Sequence, residues 1–202
     1  MVYPGESLNL HIFEPRYKQL IKEVMESGKP FGIPTVINQK LGEWGTTVRV
    51  TELTKTYENG EMDIKTEGLE VFRILETVKE LPGKLFSGAI VNYPENRRGP
   101  GIRPLMGAVL SAIRELHRLL ELDKQFKRPD AELVSYDVAH HAGLAVEEEY
   151  ELLSLFTEEQ RQEYLKRHLA KVLPIVATMG VLRERVKLNG HFKNLSSLDL
   201  DI

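Results

Sequence analysis

The period of the apolar residues changes near residue 100, and that change constrains the fold of this chain more than any other feature. Before it, apolar residues alternate with polar ones over short stretches. Val48 and Val50 stand between Thr47, Arg49 and Thr51, and Phe72 and Ile74 flank Arg73. This is the pattern of half-buried strands. Strands are expected near 31–38, 46–54, 61–66, 69–78 and 85–93, with Asn59-Gly60 supplying the left-handed conformations of a tight hairpin. About five short antiparallel strands hide their edges by closing into a small barrel or a rolled sheet. One helix interrupts them at 15–27, where Tyr17, Leu20, Ile21 and Val24 fall on one face. Pro15 suits its first position, the Glu14 carboxylate suits the positive end of its dipole, and Gly28 suits a left-handed stop.

Asn96-Arg97-Arg98-Gly99-Pro100-Gly101 is a turn-rich connector, and beyond it the period is helical. Leu105, Val109, Ala112, Ile113, Leu116 and Leu120 stripe one face of a helix at about 104–122. Ser135 is expected to cap a short helix ending near Gly143, a second covers Glu147 to Leu153, and Thr157 with Gln160 forms a capping box. The longest helix follows at about 158–189, bent by Pro174 and ended by Gly190. Leu165, Leu169, Val172, Leu173, Val176, Met179 and Val186 mark its apolar side, with Arg161, Lys171 and Arg183 among the solvated positions. The expected class is therefore α+β, in two parts: a strand-rich subdomain over 1–98 and a helical one over 99–202.

Composition excludes more than it selects. The chain has no cysteine, which removes disulfides, thiolate metal sites and cysteine nucleophiles. Lys and Arg number 13 against 14 Asp and Glu before residue 100, and 14 against 16 from there on, so neither half is a polycation. No apolar run approaches the roughly 18 residues of a membrane span. Glu6, His11, Glu14 and Arg16 break up the first residues where a signal peptide would be apolar. A cytoplasmic protein without a membrane segment is expected.

Motifs of chemistry are missing. The chain contains no G-x-x-x-x-G-K-[ST], G-x-G-x-x-G or G-x-S-x-G run, so phosphate cradles, dinucleotide folds and nucleophile elbows lack sequence support. His140 and His141 stand near Glu147, Glu148 and Glu149, but adjacent helical residues point about 100° apart, which does not suit a shared metal. No metal or cofactor is expected. The concentrated basic groups are Arg97, Arg98 and Arg103 in the connector and Lys124, Lys127 and Arg128 in the next loop. If the two loops meet, they suit a small anion or a nucleic-acid backbone. Trp44, Tyr57 and Tyr93 fall in or beside expected turns, where aromatics are common at interaction surfaces.

The stretch Tyr3-Pro4-Gly5-Glu6-Ser7-Leu8-Asn9-Leu10-His11-Ile12-Phe13-Glu14-Pro15-Arg16-Tyr17 resembles the opening signature of the Lon protease N-terminal, or substrate-binding, domain. The signature is a P-G-E followed by L-x-I-F-E-P-R-Y. The similarity continues through Phe31-Gly32, Gly45-Thr46, Asp63-Ile64 and Gly68 to Ile74, and more weakly through Asp137-Val138-Ala139 and Glu147 to Leu153. It implies a PUA-like β-barrel followed by a helical bundle. Pro4, Gly5, Glu6, Phe13, Glu14, Pro15, Arg16 and Tyr17 are then mainly structural, as a helix start packed on a barrel. Two departures stand out. Full Lon proteases continue into an ATPase module and a Ser-Lys protease domain, and the sequence stops at Ile202 without either. The family also has apolar residues before the P-G-E that form a first strand, and here only Met1 and Val2 stand there: either the start is misassigned or truncated, or that strand is short and leaves a neighbour's edge open to another chain.

The resemblance implies a non-catalytic domain that binds unfolded polypeptide or a protein partner, acting as an adaptor for client recruitment in proteolysis. The contacts are expected from Trp44, Tyr57, Tyr93, Arg97, Arg98 and Arg103, with self-association through the open edge as a further expectation. RNA binding through the PUA-like barrel is the alternative.

Overall fold

The computed structural model describes the backbone of residues 1–126 and 128–192, and side chains as far as residue 179. Lys127 and the side chains of Arg183 and Val186 lie outside the described residues. The order is β1 (Ser7–Ile12), α1 (Pro15–Ser27), β2 (Phe31–Ile37), β3 (Lys40–Thr56), β4 (Met62–Val78), β5 (Gly88–Asn92), α2 (Arg103–Leu119), α3 (Ser135–Val138), α4 (Val146–Leu153) and α5 (Glu158–Phe192). Single 3₁₀ turns at Asp130–Glu132 and Ala139–His141 flank α3. The chain is α+β as expected: a rolled antiparallel sheet with one packed helix, then a helical half with a long last helix.

The sheet is organised by its longest strands. β4 lies along β3, and its opposite edge carries β1 beside residues 62–67 and β5 beside residues 73–78. β2 pairs with β3, so the ladder order is β1-β4-β3-β2. The β3–β4 register slips at three places, between Thr46 and Val48, Val50 and Glu52, and Leu53 and Lys55. Each bulge bends the strand and increases its twist, which lets 17-residue strands roll. The sequence reading divides β4 into two strands and misses β1. Yet Ser7, Asn9 and His11 face outward while Leu8, Leu10 and Ile12 face inward, a period-two signal embedded in the signature.

Two turns depart from expectation. Asn38 and Gln39 both have positive φ, 49° and 63°, and join β2 to β3 as a two-residue hairpin of the kind whose twist matches its strands. At the β3–β4 turn only Gly60 is left-handed, so Asn59-Gly60 is not a pair of left-handed residues. Gly60 N donates to Tyr57 O and Tyr57 N to Glu61 O, which makes the longer loop that ends in a left-handed glycine.

α1 begins at Pro15 and stops at Gly28, as expected, but the Glu14 carboxylate accepts from Arg16 Nε at 2.8 Å and leaves the helix amides uncapped. The Thr157–Gln160 box forms. Ser135 does not cap α3, because its hydroxyl is taken by Glu158; Asp137 Oδ2 accepts from Val134 N instead. α5 runs past Gly190 to Phe192, so that glycine does not end it.

Apolar burial forms two clusters. A small one joins Ile12, Met62 and Ile64 of the sheet to Ile21 of α1. The main one lies in the helical half, with Val109, Ile113, Leu116, Leu152, Leu153, Leu165 and Leu169, and it takes in Tyr3 and Val71 from the strand half.

Arg161 is the largest correction to the helical reading: it is fully buried, not solvated. Its Nε donates to Ser135 Oγ, Nη2 to Glu158 Oε2 and Arg97 O, and Nη1 to Asn96 Oδ1, Tyr136 Oη and Leu155 O, all within 3.3 Å. The guanidinium also lies 4.2 Å from the Tyr136 ring centroid. Gln162 next to it accepts from Ile102 N and donates to Pro100 O. One buried ion thereby fixes the connector, α3 and α5 together. Arg161→Leu leaves Glu158 buried without its cation, and stability is expected to fall by about 3–5 kcal/mol. Urea denaturation measures it; a midpoint equal to that of the wild type contradicts the assignment.

Candidate polypeptide-binding surface

The six side chains singled out from sequence are brought together only in part: Phe156 meets the Trp44 ring and accepts from Arg97 N at 2.8 Å, and Arg73 pairs with both Trp44 and Asn92, the residue before Tyr93, whereas Tyr57 stands apart at the β3–β4 turn. Trp44 lies within β3 rather than at a turn, half-buried against the main core. Its ring meets Phe156 edge-on at 5.1 Å and lies under the Arg73 guanidinium at 5.5 Å. The Tyr150 hydroxyl accepts from Trp44 N at 3.2 Å, so Trp44 joins sheet to bundle. Tyr57, at the β3–β4 turn, donates to Asp63 Oδ2 at 2.7 Å and lies under the Lys55 ammonium. Tyr93, just after β5, is exposed.

The connector arginines are individually engaged. Arg97 pairs with Glu95 at 2.9 Å, Arg98 donates to Leu69 O at 3.2 Å, and Arg103 donates to Ala131 O. Arg103 therefore does bring the connector to the loop before α3. In that loop Arg128 pairs with Asp137. The carboxylates of Glu95 and Asp137 lower the local positive potential that a phosphate backbone needs.

The Pro4-Gly5-Glu6 signature builds a clamp. Glu6 N donates to Tyr3 O at 3.1 Å, closing a turn with Pro4 and Gly5 at its centre. Gly5 has φ 85°, the conformation that the third residue of a type II turn requires. Gly5 N donates to Gly68 O and Gly68 N to Glu6 O, both at 2.8 Å. A Cβ on Gly68 would stand 2.2 Å from Tyr3 O, so no larger residue allows this approach. Tyr3 is thereby pushed into the bundle, stacked on Tyr136 at 5.1 Å, with its hydroxyl donating to Glu149 O at 3.1 Å. Burial raises the Tyr3 phenol and keeps it protonated.

Glu6 completes the clamp. Its Oε2 accepts from Tyr3 N at 2.8 Å, and its carboxylate meets His140 Nε2 at 3.2 Å. His140 Nδ1 meets Glu149 Oε1 at 2.6 Å. Burial opposes ionisation of Glu6, but the hydrogen bonds from His140 and the Tyr3 amide outweigh it and hold the carboxyl below its usual value. The Glu6 hydrogen bond, followed by the charges of both carboxylates, raises His140 above 6.5 against the opposing effect of burial. Only the imidazolium can donate to both carboxylates at once, since a neutral ring has one N–H.

Phe13 and Tyr17 are partly exposed at the start of α1, where the Arg16 guanidinium covers the Tyr17 ring at 4.6 Å. Beside the clamp, Glu6, Arg128, Tyr136, Asp137 and His140 line a cleft of about 380 Å³. Among the described residues no three His, Asp or Glu side chains form a metal-ligand set, and no helix is long and apolar enough to cross a membrane.

A second concave feature has no counterpart in the sequence reading. A groove of about 190 Å³ lies between the end strands of the sheet, lined by Leu8 of β1 and by Ile33, Pro34, Thr35 and Val36 of β2, with Met1, Val2, Thr46 and Val146 completing it. Val36 and Leu41, cross-strand partners on the β2–β3 hairpin, are 58 % and 50 % exposed, and Val146 is 52 % exposed. Asn38 Nδ2 donates to Glu147 Oε1 at 3.2 Å and ties the hairpin to α4. The alternation in β2 was legible, but its position at the end of the sheet was not.

The fold and these surfaces define an α+β domain with apolar and hydrogen-bonding grooves at the edges of a rolled sheet. Residues 1–171 match the family described as the ATP-dependent protease La (LON) substrate-binding domain, and the chain belongs to that family. A solved Lon N-terminal domain protein from Xanthomonas campestris superposes with a TM-score of 0.62 at 22% identity, covering 81% of this chain and 90% of that one. The N-terminal domain of the Mycobacterium avium complex Lon protease gives 0.56 at 13% identity, covering 84% and 92%. At these identities the two structures establish the shared fold.

The clamp predicts a pH dependence. A folded-state value above 6.5 for His140 means a contribution to stability that is fully present below the unfolded value and is lost as pH rises through the folded one. Relative to a His140→Gln variant, the wild type is expected to lose part of its advantage in melting temperature as pH rises from about 6 to 8. Parallel pH profiles of the two proteins contradict the assignment.

Proposed function

We propose that this chain is a non-catalytic polypeptide-binding domain that recruits unfolded clients as an adaptor for proteolysis. The observation that carries this reading is the match of residues 1–171 to a substrate-binding domain family. Physical support comes from apolar side chains left in solvent around the sheet, among them Val36, Leu41, Leu75, Ile90 and Tyr93. Segments exposed by misfolding are apolar, and contacts with such a surface are broad and individually weak. Of the six side chains expected from sequence to make the contacts, Tyr93 has the most exposed ring. Trp44 would act through the packing it already makes, and Arg97, Arg98 and Arg103 would lie at the rim of the contact.

The experiment mixes the purified protein with a thiol-blocked, permanently unfolded polypeptide and follows binding by anisotropy. Micromolar affinity that changes little between low and moderate salt is the expected result. Tyr93→Ala is expected to weaken it by about twofold to fivefold, the size of a partly buried aromatic contact, with no change in melting temperature. No detectable association overturns the reading. A fall of about a thousandfold with salt identifies a nucleic-acid type of surface instead.

A further inference from the structure

We propose that the cleft between α2 and the turn Asp130–Glu132 binds the free C-terminus of a polypeptide whose last residue is apolar. This rests on the polypeptide-binding reading and names the part of a client that is held. The cleft has a volume of about 340 Å³, within the range of small-ligand sites. Met106, Leu110 and Leu133, buried members of the main core, supply its apolar lining. Arg103, Gly107, Ser111 and Arg114 follow one another at steps of three and four residues along α2, so they share the helix face that borders the cleft. Both guanidiniums reach the same turn: Arg103 Nη1 donates to Ala131 O, and Arg114 Nη2 donates to Asp130 Oδ1 at 2.6 Å. Among the described residues these are the only hydrogen bonds of the two side chains, and a guanidinium carries five N–H groups. Donors remain on both for a ligand.

Gly107 is a second, independent pointer. Inside a helix glycine is less stable than alanine, and the fold does not need it here, because a Cβ at this position would meet nothing within 4 Å. The missing side chain leaves open space in the cleft, where a ligand can come close to the helix backbone. Charge then selects the ligand. Two guanidiniums against the single Asp130 carboxylate leave one net positive charge among the lining residues, which suits a monoanion and falls short of what a nucleic-acid backbone needs. The apolar lining beside it suits an alkyl group. The last residue of a polypeptide joins both on one carbon: a carboxylate that guanidinium N–H groups hold by charge-assisted hydrogen bonds, and a side chain for Met106, Leu110 and Leu133. A free amino acid carries an ammonium on that same carbon, which two guanidiniums repel, whereas a peptide bond has no such charge.

The test uses a fluorescent hexapeptide ending in alanine-leucine with a free carboxylate, and the same peptide as its C-terminal amide. The acid is expected to bind, and the amide to bind more weakly by about tenfold or more, the size of a lost charge-assisted contact. Gly107→Leu fills the cleft at a position with room for a side chain. It is expected to weaken the acid by about tenfold or more while the melting temperature stays at or above that of the wild type. Arg114→Gln leaves Arg103 and Asp130 with no net charge and is expected to abolish the preference for acid over amide. Asp130→Asn raises the positive charge and is expected to tighten the acid by a few fold, a gain that a merely structural role of Asp130 would not give. Equal binding of acid and amide overturns the proposal, as does unchanged binding to Gly107→Leu. If the unfolded polypeptide binds and the acid peptide does not, the C-terminus proposal falls while the polypeptide-binding reading stands. If the acid peptide binds as expected and the unfolded polypeptide does not, the cleft assignment stands and the wider reading falls.

Discussion

Arg161 puts a guanidinium in the interior and satisfies every N–H direction it has. Nε reaches a hydroxyl that Glu158 holds in place, and the two terminal nitrogens reach the Glu158 carboxylate, the Asn96 amide, the Tyr136 phenol and the backbone carbonyls of Arg97 and Leu155. Such a site stabilises only when complete, because an unpaired charge at this depth costs several kcal/mol. The requirement sets geometry elsewhere. The connector must pass over α5 with its carbonyls turned inward, and α3 must present both Ser135 and Tyr136. Gly101 must also stay bare, since a Cβ there would stand 2.4 Å from the Gln162 amide.

A second device of the same logic adjoins it through Tyr136, whose hydroxyl meets Arg161 and whose ring stacks on Tyr3. The Pro4-Gly5-Glu6 turn drives Tyr3 into the main core while Gly68 gives it room, and Glu6 and Glu149 hold His140 from two sides. Trp44 on Phe156 supplies an apolar contact between sheet and bundle. Sheet and bundle are therefore joined by a buried ion, a charged clamp and an aromatic pair. Both end strands of the sheet, β1 and β2, line a groove that Val146 of α4 also borders.

Much of this was legible in order along the chain. The switch of period near residue 100 separates strands from helices, Pro15 and Gly28 bound α1, and the Thr157–Gln160 box starts α5. The signature carries the family. β1 is equally legible in the alternation of Ser-Leu-Asn-Leu-His-Ile, which the signature overlies. Glu14 and Ser135 show how a capping residue is misread: each has a stronger partner, Arg16 for one and Glu158 for the other. For Glu14 the partner is two residues away, and for Ser135 it is 23 residues away, beyond the reach of any local rule.

The sequence by itself determined the elements and their family, because periodicity, proline, glycine and capping pairs act over a few residues and need no tertiary context. Only the folded chain decided that Arg161 is interior, that Trp44 packs between sheet and bundle, and that Arg97 meets the same Phe156 as Trp44 while Tyr57 stands apart. It also decided that β1 and β2 end the same sheet on either side of a groove. Those outcomes depend on which distant groups meet, and the energy of a charge or a strand edge is set by that meeting rather than by its neighbours in the chain.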